Sequence, residues 1–335
     1  ALLVVAFVRV GAAVAWGAGP WPRSVASVLT PGAGAAAALV TARWRLVRRL
    51  IVVLAVAAAM GTVPVRWIAP GWPPSGWVVV ACAVGQGDAV VLPLTPGAAV
   101  VVDAGPSPAP VDRCLRRLGV RVVPLLVVSH FHADHVGGVA GVLRGREVRA
   151  VLTPGWPEPV AGRELVYREA ARSGVPVAPA RAGWTYRWGD LELTVLGPVV
   201  ELSGTRSDPN NNSLVLRARV RGIDILLLGD VETEQQRALL DWHGPDGVRA
   251  DVMKVAHHGS AYQDTRFLDA VRPRAAFVSV GADNEYGHPH PALLARLARN
   301  GARVLRTDIH GDLAAVRDER GLAVAVRGHD PGPRR

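Results

Sequence analysis

Lysine is almost missing from this chain: of 335 residues only Lys254 is one, so the formal charge of +10 rests on arginine. Arginine excess without lysine can follow genome composition and is weak ground for a nucleic-acid partner. Cysteine is nearly as scarce. Cys82 and Cys114 lack zinc-ligand spacing and are too few for a disulfide framework, which excludes a zinc-finger or disulfide-scaffold reading and leaves a single bridge open. No internal repeat is visible, which excludes a repeat architecture. Residues 1–76 contain no acidic residue and are built from Ala, Val, Leu, Gly and Trp.

That first stretch carries two apolar runs. Residues 1–18 are apolar apart from Arg9, and residues 46–67 apart from Arg48, Arg49 and Arg66. Leu50 to Val65 supplies the core of a membrane span or a short interfacial helix; against about 20 residues for a full span it is somewhat short, and a buried helix of a soluble protein is the alternative. Between the runs lies the cluster Arg43, Arg45, Arg48, Arg49. The positive-inside rule keeps this cluster cytoplasmic, so residues beyond Trp67 are expected on the outer side of a cell membrane. No basic segment precedes the first run and there is no initiator Met, so the chain is expected to begin inside a longer, multi-pass protein. Residues 1–69 are thus read as the end of a membrane domain, 70–76 (P-G-W-P-P-S-G) as a linker, 77–328 as one folded domain and 329–335 as a disordered tail.

Beyond the linker the pattern is that of strands with helices interleaved. Strand-like runs cover 77–84, 89–94, 98–102, 122–128, 148–152, 175–178, 191–196, 214–220, 223–228, 252–256, 275–280 and 304–307, with a hairpin over 313–327. Helical spacing covers 110–118, 136–143, 162–173, 232–242 and 291–300, while 208–213 (D-P-N-N-N-S) reads as a loop. This order suits an α+β fold of two packed sheets with helices outside, a four-layer αββα sandwich.

The chemistry concentrates in S-H-F-H-A-D-H-V-G-G at 129–138, directly after an apolar run that reads as a buried strand. His130 and His132, two residues apart on the loop leaving that strand, can turn both imidazoles to one metal. Asp134 and His135 would face a second. Two further clusters occupy the same position after a buried strand: Asp230, and His257 with His258. Ligand-type residues at the same end of neighbouring strands can converge in space. The resulting expectation is two divalent ions, Zn or Mn, with Asp230 between them, and with either His257 or His258 completing the second site while the other faces substrate.

Were the substrate a phosphodiester, catalysis would be largely positioning plus electrostatics. Lys254 and His288 are expected to hold a phosphate or stabilise the leaving oxygen, and Asn212, Ser213 and Ser260 to contact substrate. Asp88 and Asp103 are expected behind the ligands. No Ser-His-Asp spacing supports a serine hydrolase, and no organic cofactor is expected.

The H-x-H-x-D-H arrangement resembles the signature of the metallo-β-lactamase fold superfamily. More specifically, G-Q-G-D-A at 85–89, D-A-G at 103–105, N-N-N-S-L-V-L at 210–216, L-L-L-G-D at 226–230, K-V-A-H-H-G-S at 254–260, Y-G-H-P at 286–289 and R-T-D at 306–308 resemble the C-terminal domain of the ComEC family. That resemblance implies an extracytoplasmic, metal-dependent nuclease of a bacterial DNA-uptake channel, degrading one DNA strand while the other enters, alongside other uptake components. Two departures stand out. The family usually has Asp where this chain has Ala83, and many enzymes of the fold place a further His where this chain has only the D-P-N-N-N-S loop, so that Asp208 or an asparagine would have to compensate. The alternatives are hydrolysis of a small ester, thioester or lactam, and a degenerate, non-catalytic channel domain.

Overall fold

The computed structural model describes residues 43–58 and 71–328. The chain divides into two units at Pro70 and Gly71. In the first, residues 43–58 form a helix exposed along its length. Among the described residues no helix is long and apolar enough to cross a membrane. The expected membrane-spanning helix over 46–67 is therefore seen only as far as residue 58; the rest of it, the run 1–18 and the tail 329–335 lie outside the described residues.

In the second unit two sheets face each other. One has eight strands in the order Gly321–Arg327, Asp312–Asp318, Trp77–Ala81, Val90–Pro93, Ala99–Val102, Leu126–Val127, Val151–Thr153 and Val177–Pro179. The other has seven: Arg303–Arg306, Ala275–Val278, Val252–Lys254, Ile223–Leu227, Val215–Val220, Leu191–Gly197 and Thr185–Trp188. Each sheet is antiparallel in one half and parallel in the other. Sequence dictates the division. Strands of the parallel halves such as Leu126–Val127, Val252–Lys254 and Ala275–Val278 are buried on both faces, whereas Val215–Val220 alternates, turning Arg217 and Arg219 outward.

Side-chain alternation along the strands builds three apolar layers. Leu92, Val100 and Val127 meet Leu193, Leu216, Ile225 and Phe277 between the sheets. Val101 and Leu126 point the other way, onto Val111, Leu115, Val142 and Val166 of helices Pro108–Arg117, Val139–Leu143 and Val160–Arg172. Met253 and Ala276 likewise meet Leu239, Phe267 and Leu297 of helices Thr233–Val248, Thr265–Val271 and Pro291–Arg299. The αββα sandwich expected from the strand order is the architecture observed.

Several elements differ from expectation for local reasons. The run 122–128 is interrupted at Pro124: Val122–Val123 pairs with Glu147–Val148 in a separate ribbon, and only Leu126–Val127 joins the sheet. Residues 208–213 are not a plain loop, since Asp208–Asn211 makes a helical turn with Pro209 in its first positions. Cys82 and Cys114 form a disulfide, S–S 2.01 Å, joining the end of strand Trp77–Ala81 to helix Pro108–Arg117.

Candidate metal centre

Parallel strands deliver their loops to one rim, the carboxyl end, where α/β sheets hold their sites. From the first sheet come Asp103, after strand Ala99–Val102, and Ser129 to His135, after Leu126–Val127. From the second come Asp230, the pair His257 and His258, and the loop 279–288. Close backbone approach fixes their arrangement. A Cβ at Gly138 would overlap the Ala104 carbonyl, and one at Gly137 the Pro106 carbonyl, so only glycine lets the histidine loop lie against the Asp103 loop.

One donor atom from each of Asp134, His135, Asp230 and His258 lies within 4.8 Å of the others. Asp230 Oδ2 is 3.3 Å from His135 Nε2 and 3.3 Å from His258 Nε2, and Asp134 Oδ2 is 3.0 Å from His258 Nε2. The tautomers follow from the partners. His258 Nδ1 donates to the Ser279 carbonyl at 2.9 Å and His135 Nδ1 to Asp103 Oδ2 at 2.9 Å, which leaves both Nε2 atoms free to bind a cation. His135 Nε2 is buried and has no hydrogen-bond partner. An orphaned ring nitrogen facing two carboxylates and a second imidazole fits a divalent metal, and the mixed N/O donor set suits Zn, Mn or Fe. Beside this group His130 Nε2 and His132 Nδ1 face each other at 3.0 Å, a second pair of donors; His130 Nδ1 lies 3.2 Å from Ser129 Oγ.

Charges are arranged to match. Burial, and then His135, hold His130 well below the usual imidazole range, and burial lowers His132, so both are neutral ligand-type rings. Burial opposes charge on His135 and His258 too, but Asp230 with Asp103 outweighs it at His135, and Asp230 with Asp88 raises His258 to about 10. Against burial, His258, His135 and Lys254 keep Asp230 well below the carboxylate range. Behind the group, Asp88 makes a close ion pair with Lys254 and lies 3.8 Å from His135 Nδ1. Burial raises the Asp103 carboxyl despite His135. Asp103, His257 and His258 all adopt positive φ, of 60°, 47° and 50°, strain of roughly 1–3 kcal/mol each that the surrounding bonds hold in place.

A cleft of about 540 Å³ opens over the donors, lined by Gln86, Pro106, His132, Ala133, Asp134, Asn210, Asp230, His257, His258, Tyr286 and His288. His258 joins the ligand group; His257 instead bonds Glu232 Oε1 at 3.1 Å and faces the cleft. His288 also faces it, 5.2 Å from the His257 ring, and burial, then His257, lower it to about 4.

Four expectations for substrate contact are corrected. Lys254 is buried and spends its ammonium on Asp88, on Asp230 Oδ1 at 3.5 Å and on the Gly229 carbonyl, so it acts behind the ligands. Asn212 is buried and braces Leu202 and the Asp208 carbonyl. Ser213 accepts from the Asp230 amide at 3.4 Å, and buried Ser260 accepts from the Tyr262 amide at 3.4 Å; neither lines the cleft. Asp208 is taken up by Gly204 and Thr205. Asn210, not Asp208, reaches the cleft, with a buried Oδ1 that has no partner. At Ala83 the backbone amide donates to Asp312, and the four-donor group draws on no residue there.

Sequence reasoning missed Gln86, Asn210, Glu232 and Tyr286. Glu232, placed by its spacing at the start of a helix, is buried and receives Arg206, His257 and Asn210. The available signal was its place two residues beyond Asp230 on one loop.

With this geometry in view, the comparisons are specific. Residues 82–282 match the model of the metallo-beta-lactamase superfamily, more than half of the chain, and the chain belongs to that superfamily, with its metal-dependent hydrolase fold. Within it the relatives are competence proteins of the ComEC type. ComE operon protein 3 of Bacillus subtilis (strain 168) is 31% identical over 196 residues, 58% of this chain and 25% of that protein. Competence protein ComA of Neisseria gonorrhoeae is 32% identical over 200 residues, 59% of this chain and 26% of that protein. The chain thus spans about a quarter of the length of the curated relatives it matches. Among solved structures, Zn(2+)-bound PqqB from Methylobacterium extorquens aligns with 68% of this chain and 98% of its own at 10% identity, TM-score 0.47.

Proposed function

We propose that this chain is the nuclease domain of a DNA-uptake channel, hydrolysing phosphodiester bonds of one strand on the extracytoplasmic side of the cell membrane while the other strand enters. The observation that carries the reading is the donor group opening into a cleft of about 540 Å³ that Gln86, Asn210, His257 and His288 also line. Kinship with proteins named for competence supports the polymer substrate over a small ester. The disulfide supports the location, because such bridges persist in oxidising compartments.

In this reading Asp134, His135, His258 and Asp230 would hold one divalent ion, Zn or Mn, and His130 and His132 would offer donors to a second. Bound there, they would polarise a phosphoryl oxygen and acidify the attacking water. Asp103 and the Ser279 carbonyl fix the ligand rings, and Lys254 offsets the charge of Asp88 and Asp230 from behind. His257, steadied by Glu232, and His288, neutral at pH 7, face the leaving oxygen as hydrogen-bond donors.

The test is digestion of single-stranded and duplex DNA by the purified protein with Mn, Zn or Mg added. Metal-dependent release of short products that Asp230→Asn abolishes is expected. If the wild type cleaves no DNA but hydrolyses a small ester through Asp230, the metal site stands and the nuclease reading falls.

A further inference from the structure

Tyr286 is the least explained residue of the cleft. Its side chain is 73% exposed, yet it lines the site, its ring lying 5.9 Å from that of His288 and tilted from it by only 28°. The loop presenting it is fixed. Asn284 donates to the carbonyls of Gly281 and His288 and accepts from the His288 amide, while Gln86 Oε1 accepts from the Gly281 amide at 3.1 Å. This leaves a largely exposed aromatic face at the cleft beside His288, carried by a hydrogen-bonded loop.

A flat face of this kind has one good partner in a polynucleotide, the face of an unstacked base. Bases of a duplex cover one another and offer only their edges, so a base can lie on Tyr286 only in an unpaired strand. His257, which lines the same cleft, is tied through Glu232 to the Arg206 guanidinium, itself 3.4 Å over the Tyr262 ring. We infer that Tyr286 is a base-stacking platform, which sets the cleft to take a single strand with one base laid flat beside the scissile phosphate. This inference rests on the phosphodiesterase reading above for its substrate, but not for its binding.

The experiment compares KM for a single-stranded DNA oligonucleotide with KM for the same backbone carrying abasic residues, using wild type, Tyr286→Ala and Tyr286→Phe. Wild type should prefer the base-bearing strand by about tenfold, the scale of one stacked base, and should cleave duplex poorly. Tyr286→Ala should lose that preference through KM with kcat nearly unchanged, and Tyr286→Phe, which keeps the ring, should retain it. A Tyr286→Ala enzyme that still prefers the base-bearing strand, or a wild type that takes duplex with the same KM, overturns the inference. Should the wild type cleave no DNA at all, the nuclease reading fails separately, and fluorescence anisotropy of the same two strands decides this one. A preference present in wild type and absent in Tyr286→Ala supports stacking; equal binding in wild type refutes it.

Discussion

At Asp230, buried at the foot of the cleft, two imidazoles and an ammonium meet one carboxylate. Replacing that carboxylate with the same-shaped carboxamide keeps the packing and removes the charge that a cation needs. Asp230→Asn should therefore stay folded by circular dichroism and lose more than about 100-fold in hydrolysis, beyond the roughly 10–100-fold that outer partners of a metal site cost. Lys254 is a different case. Lys254→Met strands Asp88 and Asp230 without their buried counter-charge, so urea denaturation of the metal-free protein should show a loss of about 3–5 kcal/mol. A phosphate-binding lysine would instead change KM at unchanged stability. His258 adds a pH dependence. Its pKa in the fold, about 10, lies above the ordinary 6.5, so without metal its contribution is full below about pH 6.5 and is lost as pH rises through 10. A cation displaces that proton. Metal binding near pH 8 should therefore release protons, which calorimetry in buffers of different ionisation enthalpy will register, and affinity should rise with pH.

At the scale of elements, the disulfide closes a loop between residues 32 apart and pins helix Pro108–Arg117 to the strand that leads into Gly85 to Asp88. Substituting Cys82→Ala together with Cys114→Ala should cost about 3–4 kcal/mol in chemical denaturation. Elements also show why some of the molecule could be read from residues alone. The H-x-H-x-D-H loop is legible because its ligands are close in sequence and follow a buried strand. The strand Thr185–Trp188 is not, because its burial is slight and its pairing with Leu191–Gly197 supplies its order. Helix Thr265–Val271 is short, and is held by an Asp264 side chain that accepts from Phe267 and pairs with Arg237. For Lys254 the residue type suggested phosphate, and only the third dimension shows two carboxylates already claiming it. Glu232 carries no local motif, and Asn210 is not told apart from its neighbours in N-N-N-S-L-V-L, because their partner, His257, is more than twenty residues away.

For the whole molecule, the proposed extracytoplasmic setting is open to a direct test. Arg43, Arg45, Arg48 and Arg49 fall within the helix at 43–58, and if this part of the full-length protein is membrane-bound the positive-inside rule would set that end toward the cytoplasm. Protease added outside intact cells of a host bearing the full-length protein should then reach the domain after Gly71. Protection until lysis would reverse the assignment. In the same experiment thiol labelling should find Cys82 and Cys114 unreactive without reductant, as a bridge formed outside the cytoplasm requires.

Strand Asp312–Asp318 lies beside Trp77–Ala81, so the eight-stranded sheet joins the beginning of the domain to its end. Asp312 itself accepts from the Ala83 amide and pairs with Arg117, holding the segment that runs on to Asp88. A ribosome therefore releases nearly all of the domain before its first strand can find its neighbour. Contacts spanning such a stretch of chain form late. Until they do, the Asp88 that steadies Lys254 is unplaced, and a nascent or truncated chain has its histidines without their setting. Latency during synthesis is thus written into strand order, and the site matures only once the final hairpin has arrived.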